Sequence, residues 1–290
     1  MSSVENHKTS LLGREIVIVG CGAMGLPMAK RLANDGFNVS GFDIKPWKTR
    51  PYQFTPKSSD TVTLNALTGL TNLSLETILV LVVRDEQQIL DVCFEQQAVY
   101  THCIYPLTLV ICSTVSTKCI ERLAKRLPKD VTLVDAPMSG APYSAASGSL
   151  TFMLGGQTDD IEPLMPMFRS MGHHVHHLGP VGTGMAAKVL NNYVAASSVV
   201  TVRRALHWAS MEGINVAKLL DVMAQSSGST WYGNNIQKID WSKQSYDSQN
   251  TIGILEKDVR CALDSQFMPG DEFDNALLLA LKALPGFPDE

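Results

Sequence analysis

The stretch that most constrains this chain lies between residues 14 and 43. Arg14-Glu15-Ile16-Val17-Ile18-Val19 is a β-branched run of the kind found in strands buried on both faces. It leads straight into Gly20-Cys21-Gly22-Ala23-Met24-Gly25, a G-x-G-x-x-G turn. Small and apolar residues then recur at helical spacing through Ala23, Leu26, Ala29, Leu32 and Ala33, stopping at Asp35-Gly36. A second β-rich run, Asn38 to Phe42, ends in Asp43. Gly20 permits the tight turn, Gly22 lets the backbone approach a pyrophosphate, and Gly25 lets helix and strand pack closely. The exposed amides around Ala23 and Met24, at the positive end of the helix, favour the phosphates. Asp43, eighteen residues beyond Gly25, sits where a carboxylate accepts both ribose hydroxyl protons. The whole unit implies a dinucleotide site. The charge of Asp43 would repel a 2′-phosphate, which favours NAD; Lys45, Lys48 and Arg50 just beyond it soften that repulsion and keep NADP open.

The alternation continues. Thr77 to Val83 and Leu107 to Cys112 read as buried strands, Lys118 to Leu127 as a helix, and Val131 to Asp135 as a further strand. Strands alternating with helices predict a doubly wound, parallel α/β sheet of the Rossmann type over residues 14–180. Ligands of such sheets bind beyond the carboxyl ends of the strands, which is where Val83, Arg84, Thr114 and the segment Asp135 to Ala141 fall.

A glycine-proline hinge, Leu178 to Gly184, then opens a long periodic segment from about Gly184 to Glu212. Its inner run, Val189 to Val202, carries no charge until Arg203, the pattern of a buried, central helix. Helical spacing persists beyond Gly213 with no convincing strand. Residues 181–290 are therefore expected to form an all-helical domain, linked to the first by the long helix. On that helix Lys188 and Asn192 are four residues apart and share one face. A lysine desolvated there would exchange a proton near neutral pH, although spacing alone favours a solvated lysine.

Composition excludes several classes. With 24 Lys+Arg against 28 Asp+Glu, the net charge of -4 and the lack of a basic run argue against a nucleic-acid partner. No apolar stretch approaches the length of a membrane span. The 6 cysteines include no C-x-x-C pair, which fits reduced thiols in a cytoplasmic protein. Residues 1–13 are polar and read as a disordered lead-in without a signal-peptide pattern.

Together these motifs resemble the β-hydroxyacid dehydrogenase family, which includes 3-hydroxyisobutyrate dehydrogenase and L-threonate dehydrogenase. The resemblance rests on the glycine turn with Asp43, Ser113-Thr114, Asp135-Ala136-Pro137-Met138-Ser139-Gly140, Gly182-Thr183-Gly184 followed by Lys188 and Asn191-Asn192, and Lys257-Asp258. Leu81-Val82-Val83 and Ser227 to Trp231 look closest to the L-threonate branch. The resemblance implies that Lys188 is the catalytic general acid/base and that Asn192 orients the substrate hydroxyl. It implies that Ser139 and the Gly140 amide hold the substrate carboxylate, that Thr114 sits by the nicotinamide ribose, and that Lys257 reaches the cofactor. A small hydroxy acid as substrate and a homodimer or homotetramer as the assembly follow from the same likeness.

The chain departs from the family pattern at Ala141-Pro142, where a second glycine is usual. It also lacks a leucine-proline pair after the Leu79 strand, and it ends at Glu290 with proline-glycine turns in place of longer helical sequence. Two rivals follow: an imine reductase-like NADP enzyme, a group that usually lacks a lysine at the Lys188 position, and a catalytically impaired dinucleotide-binding module. Other features carry less. His173 to His177 would lie on a strand with imidazoles alternating between faces, so no metal site is expected. Asp159, Asp160 and Glu162 fit a helix start. Trp231 and Tyr232 suit either a cover over the active site or core packing.

Overall fold

The computed structural model describes residues 11, 13–45, 65–239, 241–265 and 270–287. Apart from Leu11 and Gly13, the expected lead-in lies outside the described residues, as do Lys48 and Arg50. Leu11 is itself buried among apolar side chains and so belongs to the core, not to a disordered lead-in.

Two compact units divide the chain, one ending at Lys188 and the other beginning at Val189. In the first unit β1 (Glu15–Val19) runs into α1 (Gly25–Asn34), β2 (Asn38–Phe42), the short β3 (Asn65–Ala66) and β4 (Ile78–Leu81). There follow α2 (Glu86–Cys93), β5 (Thr108–Ile111), α3 (Thr117–Arg126) and β6 (Thr132–Asp135). The described strands form one sheet in the order β3-β2-β1-β4-β5-β6, all parallel, as expected of a doubly wound dinucleotide fold. Burial on both faces explains the unbroken β-branched runs. Ile16 and Ile18 pack into one apolar layer while Val17 and Val19 pack into the other, and all four are buried. Each such side chain contributes roughly 1.5–3 kcal/mol on leaving water.

Beyond β6 the sheet is no longer parallel throughout. The short β7 (Met138–Ser139) and α4 (Pro142–Ser147) lead to β8 (Leu150–Gly155), which pairs antiparallel with both β6 and β7. Because both pair antiparallel with β8, β7 keeps the direction of β6, and the chain reverses over residues 140–149, a stretch shorter than the dozen or more residues that a parallel crossover takes. After α5 (Thr158–Ile161) and α6 (Met165–Met171), β9 (Gly172–Gly179) adds to β8 in parallel. It carries the histidine run, whose His174 and His176 rings stack at 6.5 Å on one face. Asp159 and Asp160 occupy the first turn of α5.

The long helix α7 (Thr183–Met211) spans the unit boundary. It is buried along one side only, through Val189, Ala196, Val199 and Leu206. Val194 is 68% exposed and Met211 73% exposed. The wholly buried helix expected from its apolar run is therefore not observed within a single chain.

The second unit continues with α8 (Val216–Ala224), α9 (Trp231–Asn235), α10 (Thr251–Ser265) and α11 (Glu272–Lys282), around a core that includes Val199, Tyr232, Ile252, Val259 and Leu281. Arg203 is buried there and donates to the carbonyl oxygens of Ser242 at 2.8 Å, Gln244 at 3.0 Å and Pro285. Tyr232 is a core residue whose hydroxyl donates to the Ser242 carbonyl at 2.8 Å, whereas Trp231 is exposed. Helix α11 lies between the two proline-glycine motifs of the sequence, in the domain expected to be all-helical.

Candidate active site

The glycine turn has the shape its sequence predicts. Gly20 adopts φ +94°, a left-handed conformation that favours glycine, and its amide donates to the Phe42 carbonyl at 2.9 Å. A Cβ at Gly20 would collide with the Val82 carbonyl oxygen, and one at Gly25 with the Gly20 carbonyl oxygen. Gly22 is half-buried and Ala23 exposed, so the crest of the turn is open to a ligand. Met24 stands at the N-cap of α1 with no side chain capping the helix, and no acid occupies the first turn. The Leu26 amide donates to the Gly22 carbonyl at 3.2 Å, and no side-chain oxygen or first-turn carboxylate competes for the helix start. Asp43 follows β2, half-exposed, and its Oδ1 accepts the Lys45 amide at 2.8 Å. Cradle, helix start and carboxylate fit a nicotinamide dinucleotide.

Neighbouring strand ends complete the rim of this unit. Val83 donates its amide to Ser113 Oγ at 2.8 Å, and Ser113 donates in turn to the Leu81 carbonyl at 3.3 Å, which ties the ends of β4 and β5 together. Arg84 is exposed, and its amide donates to Gln88 Oε1 at 2.9 Å. Thr114 is half-buried three residues beyond β5. Ser139 ends β7, and Gly140 turns the chain at φ +138° with its surface exposed. Ala141 then caps α4, and Pro142 opens that helix.

Lys188 is 7% exposed, in the second turn of α7, which corrects the solvated lysine favoured by spacing alone. Asn192, one turn later, is also buried. Its Nδ2 donates to Asp258 Oδ2 at 2.6 Å and its Oδ1 accepts from Asn191 at 3.1 Å, so the amide is held from two sides. The other oxygen of Asp258 pairs with Lys257 at 2.8 Å.

Sequence reasoning assigned no individual role to Ser113, Asp135 or Asp258. Each is a polar residue that closes or interrupts an apolar run, and that was the available signal. Asp135 is fully buried at the end of β6 and accepts the Gly182 and Met185 amides, each at 2.6 Å. Burial pushes its carboxyl up to about 6 against the opposing pull of these amides. Among the described residues no cluster of three metal-ligating side chains occurs, and no helix is long and apolar enough to cross a membrane.

Comparison with known proteins matches residues 15–179 to the NAD binding domain of 6-phosphogluconate dehydrogenase. Residues 182–270 match the domain described as NAD-binding of NADP-dependent 3-hydroxyisobutyrate dehydrogenase. An NAD-dependent L-serine dehydrogenase of Pseudomonas aeruginosa is 29% identical over 220 residues, covering 75% of this chain and 72% of its own length. An L-threonate dehydrogenase of Cupriavidus necator is 29% identical over 258 residues, covering 88% and 84%. In fold, the chain is similar to Mycobacterium tuberculosis 3-hydroxyisobutyrate dehydrogenase with L-serine, at a TM-score of 0.73 and 19% identity over 94% of this chain and 96% of that one.

Proposed function

Because this chain belongs to the β-hydroxyacid dehydrogenase family, we propose that it exchanges a hydride between NAD and the carbinol carbon of a small hydroxy acid, with Lys188 as general acid/base. The burial of Lys188, in the same unit as the glycine cradle and the Ser139-Gly140 turn, carries this proposal.

The bound nicotinamide supplies the two-electron exchange at carbon; the chain supplies binding, aim and the proton. Lys188 Nζ takes the hydroxyl proton as the carbinol is oxidised and returns it in the reverse direction, where its positive charge stabilises the developing alkoxide. Asn192, fixed through Asp258, orients the hydroxyl. Ser139 and the Gly140 amide receive the substrate carboxylate, and the bulk of Ala141-Pro142 narrows one wall of that pocket. On the cofactor side Gly20, Gly22, Ala23, Met24 and Gly25 cradle the pyrophosphate, and Asp43 takes the adenosine ribose in preference to a 2′-phosphate. Val83, Arg84, Thr114 and Lys257 are the remaining cofactor contacts. The hydroxy acids named for the relatives, 3-hydroxyisobutyrate, L-serine and L-threonate, share a carboxylate close to a hydroxyl-bearing carbon, and the substrate belongs to that class. The exposed apolar side chains of α7, Val194 and Met211 among them, support a homodimer or homotetramer formed through the helical half.

The test is turnover on a panel of three- and four-carbon hydroxy acids with NAD and with NADP. Reduction of NAD by at least one of them, at higher kcat/KM than with NADP, is expected. No turnover with any member of the panel would contradict the proposal.

A further inference from the structure

The Asp135 carboxylate has no part in the chemistry assigned above, yet the fold is built around it. Its Oδ1 accepts the Gly182 amide and its Oδ2 the Met185 amide, both at 2.6 Å, with the Gly184 amide also directed at it. These are donors that the start of a helix leaves without partners, so a strand end some 50 residues away supplies the cap of α7. The surroundings hold that start in place. The Met185 side chain is fully buried in the apolar layer shared with Leu79 and Ile111, and its sulfur accepts the Val115 amide at 3.5 Å. A Cβ on Gly184 would collide with the Met153 carbonyl oxygen, and one on Gly155 with the Asp135 carboxylate itself. Two glycines thus clear the space in which helix start, carboxylate and β8 meet.

We propose that Asp135 is a positioning residue: by capping α7 it fixes the height and rotation of the helix start and so aims Lys188, three residues beyond Met185. Asp135 also precedes Ser139 and Gly140 by only four and five residues. One buried carboxylate therefore ties the turn assigned to the substrate carboxylate to the helix assigned to the proton, within the unit that ends at Lys188. This role rests on Lys188 being the proton-transfer group. Misplacing a catalytic group by about 1 Å costs on the order of 100-fold in rate.

The experiment compares Asp135→Asn, Gly184→Ala and Lys188→Ala in the full chain. It reads kcat, KM for the hydroxy acid and Kd for NAD, together with hydrogen exchange of the peptide spanning residues 182–188. Asp135→Asn is expected to lose about 10- to 100-fold in kcat, with KM and Kd within about threefold, and to exchange that peptide at least about tenfold faster. Gly184→Ala, which pushes the helix start away while leaving the carboxylate intact, is expected to show the same split and serves if Asp135→Asn does not fold. Unchanged kcat or unchanged exchange in the folded variant overturns the positioning role, as does parallel loss of kcat and NAD binding. Wild-type turnover in Lys188→Ala overturns the assignment of the lysine itself, and with it the aim given to Asp135.

Discussion

Two buried aspartates, one in each unit, use the same functional group in different ways. Asp135, at the end of β6, spends both oxygens on backbone amides at the start of α7. Asp258, inside α10, spends one oxygen on the side-chain amide of Asn192 and the other on the ammonium of Lys257. The first fixes where a helix begins; the second fixes how a single side chain points. Lys188 and Asn192 are one turn apart on α7, yet the first unit ends with Lys188 and the second contains Asn192.

The comparison breaks most visibly at Asp258. Asp258→Ala leaves a buried amide and a partly buried ammonium without their acceptor, and should lower unfolding free energy by about 3 kcal/mol in urea titrations. A loss below about 0.5 kcal/mol would make the Asn192 contact incidental. Asp135 responds to pH in a way that an uncharged replacement does not. Its folded-state carboxyl is raised to about 6, above the roughly 4 of an unfolded aspartate, so the folded protein holds that proton more tightly. The resulting stability is fully present below about pH 4 and is lost as pH rises through about 6. Relative to Asp135→Asn, wild type should therefore lose on the order of 2–3 kcal/mol between pH 4 and pH 7; a pH-independent difference would contradict the burial of an ionisable group there.

Less buried carboxylates sharpen the contrast. Asp43 holds the Lys45 amide at 2.8 Å but is half-exposed, so Asp43→Ala should leave thermal stability nearly unchanged while weakening NAD binding about tenfold or more and NADP binding much less. Equal affinities for both before and after would refute the cofactor preference. Asp271, an exposed cap that accepts the Asp274 amide at 3.0 Å, should cost about 1 kcal/mol on Asp271→Ala, the ordinary worth of a helix cap.

These carboxylates also mark how far the sequence could be read. The glycine turn, Asp43 and the parallel strands β1, β2, β4, β5 and β6 were legible because each depends on spacing within one or two elements, whereas the two-residue β3 is too short to show a pattern. The long helix was legible from its charge-free run, but its exposed face was not, because periodicity does not tell which apolar side chains a single chain can cover. The reversal between β7 and β8 was missed because a buried strand reads alike in either direction. Helix α11 was not singled out even though Asp271 and Asp274 form a capping box ahead of Leu277, because the Pro-Gly pair before it reads first as a turn. The partnerships of Asp135 and Asp258 span 50 and 66 residues, and no local pattern announces them.

The central claim is that Lys188 moves the proton. Its most direct test is the kcat of Lys188→Ala on a hydroxy acid that the wild type oxidises, with NAD affinity measured alongside. A fall of about 100- to 10,000-fold in kcat, with NAD affinity within about twofold of wild type, is the predicted result. A variant that turns over at the wild-type rate would contradict it.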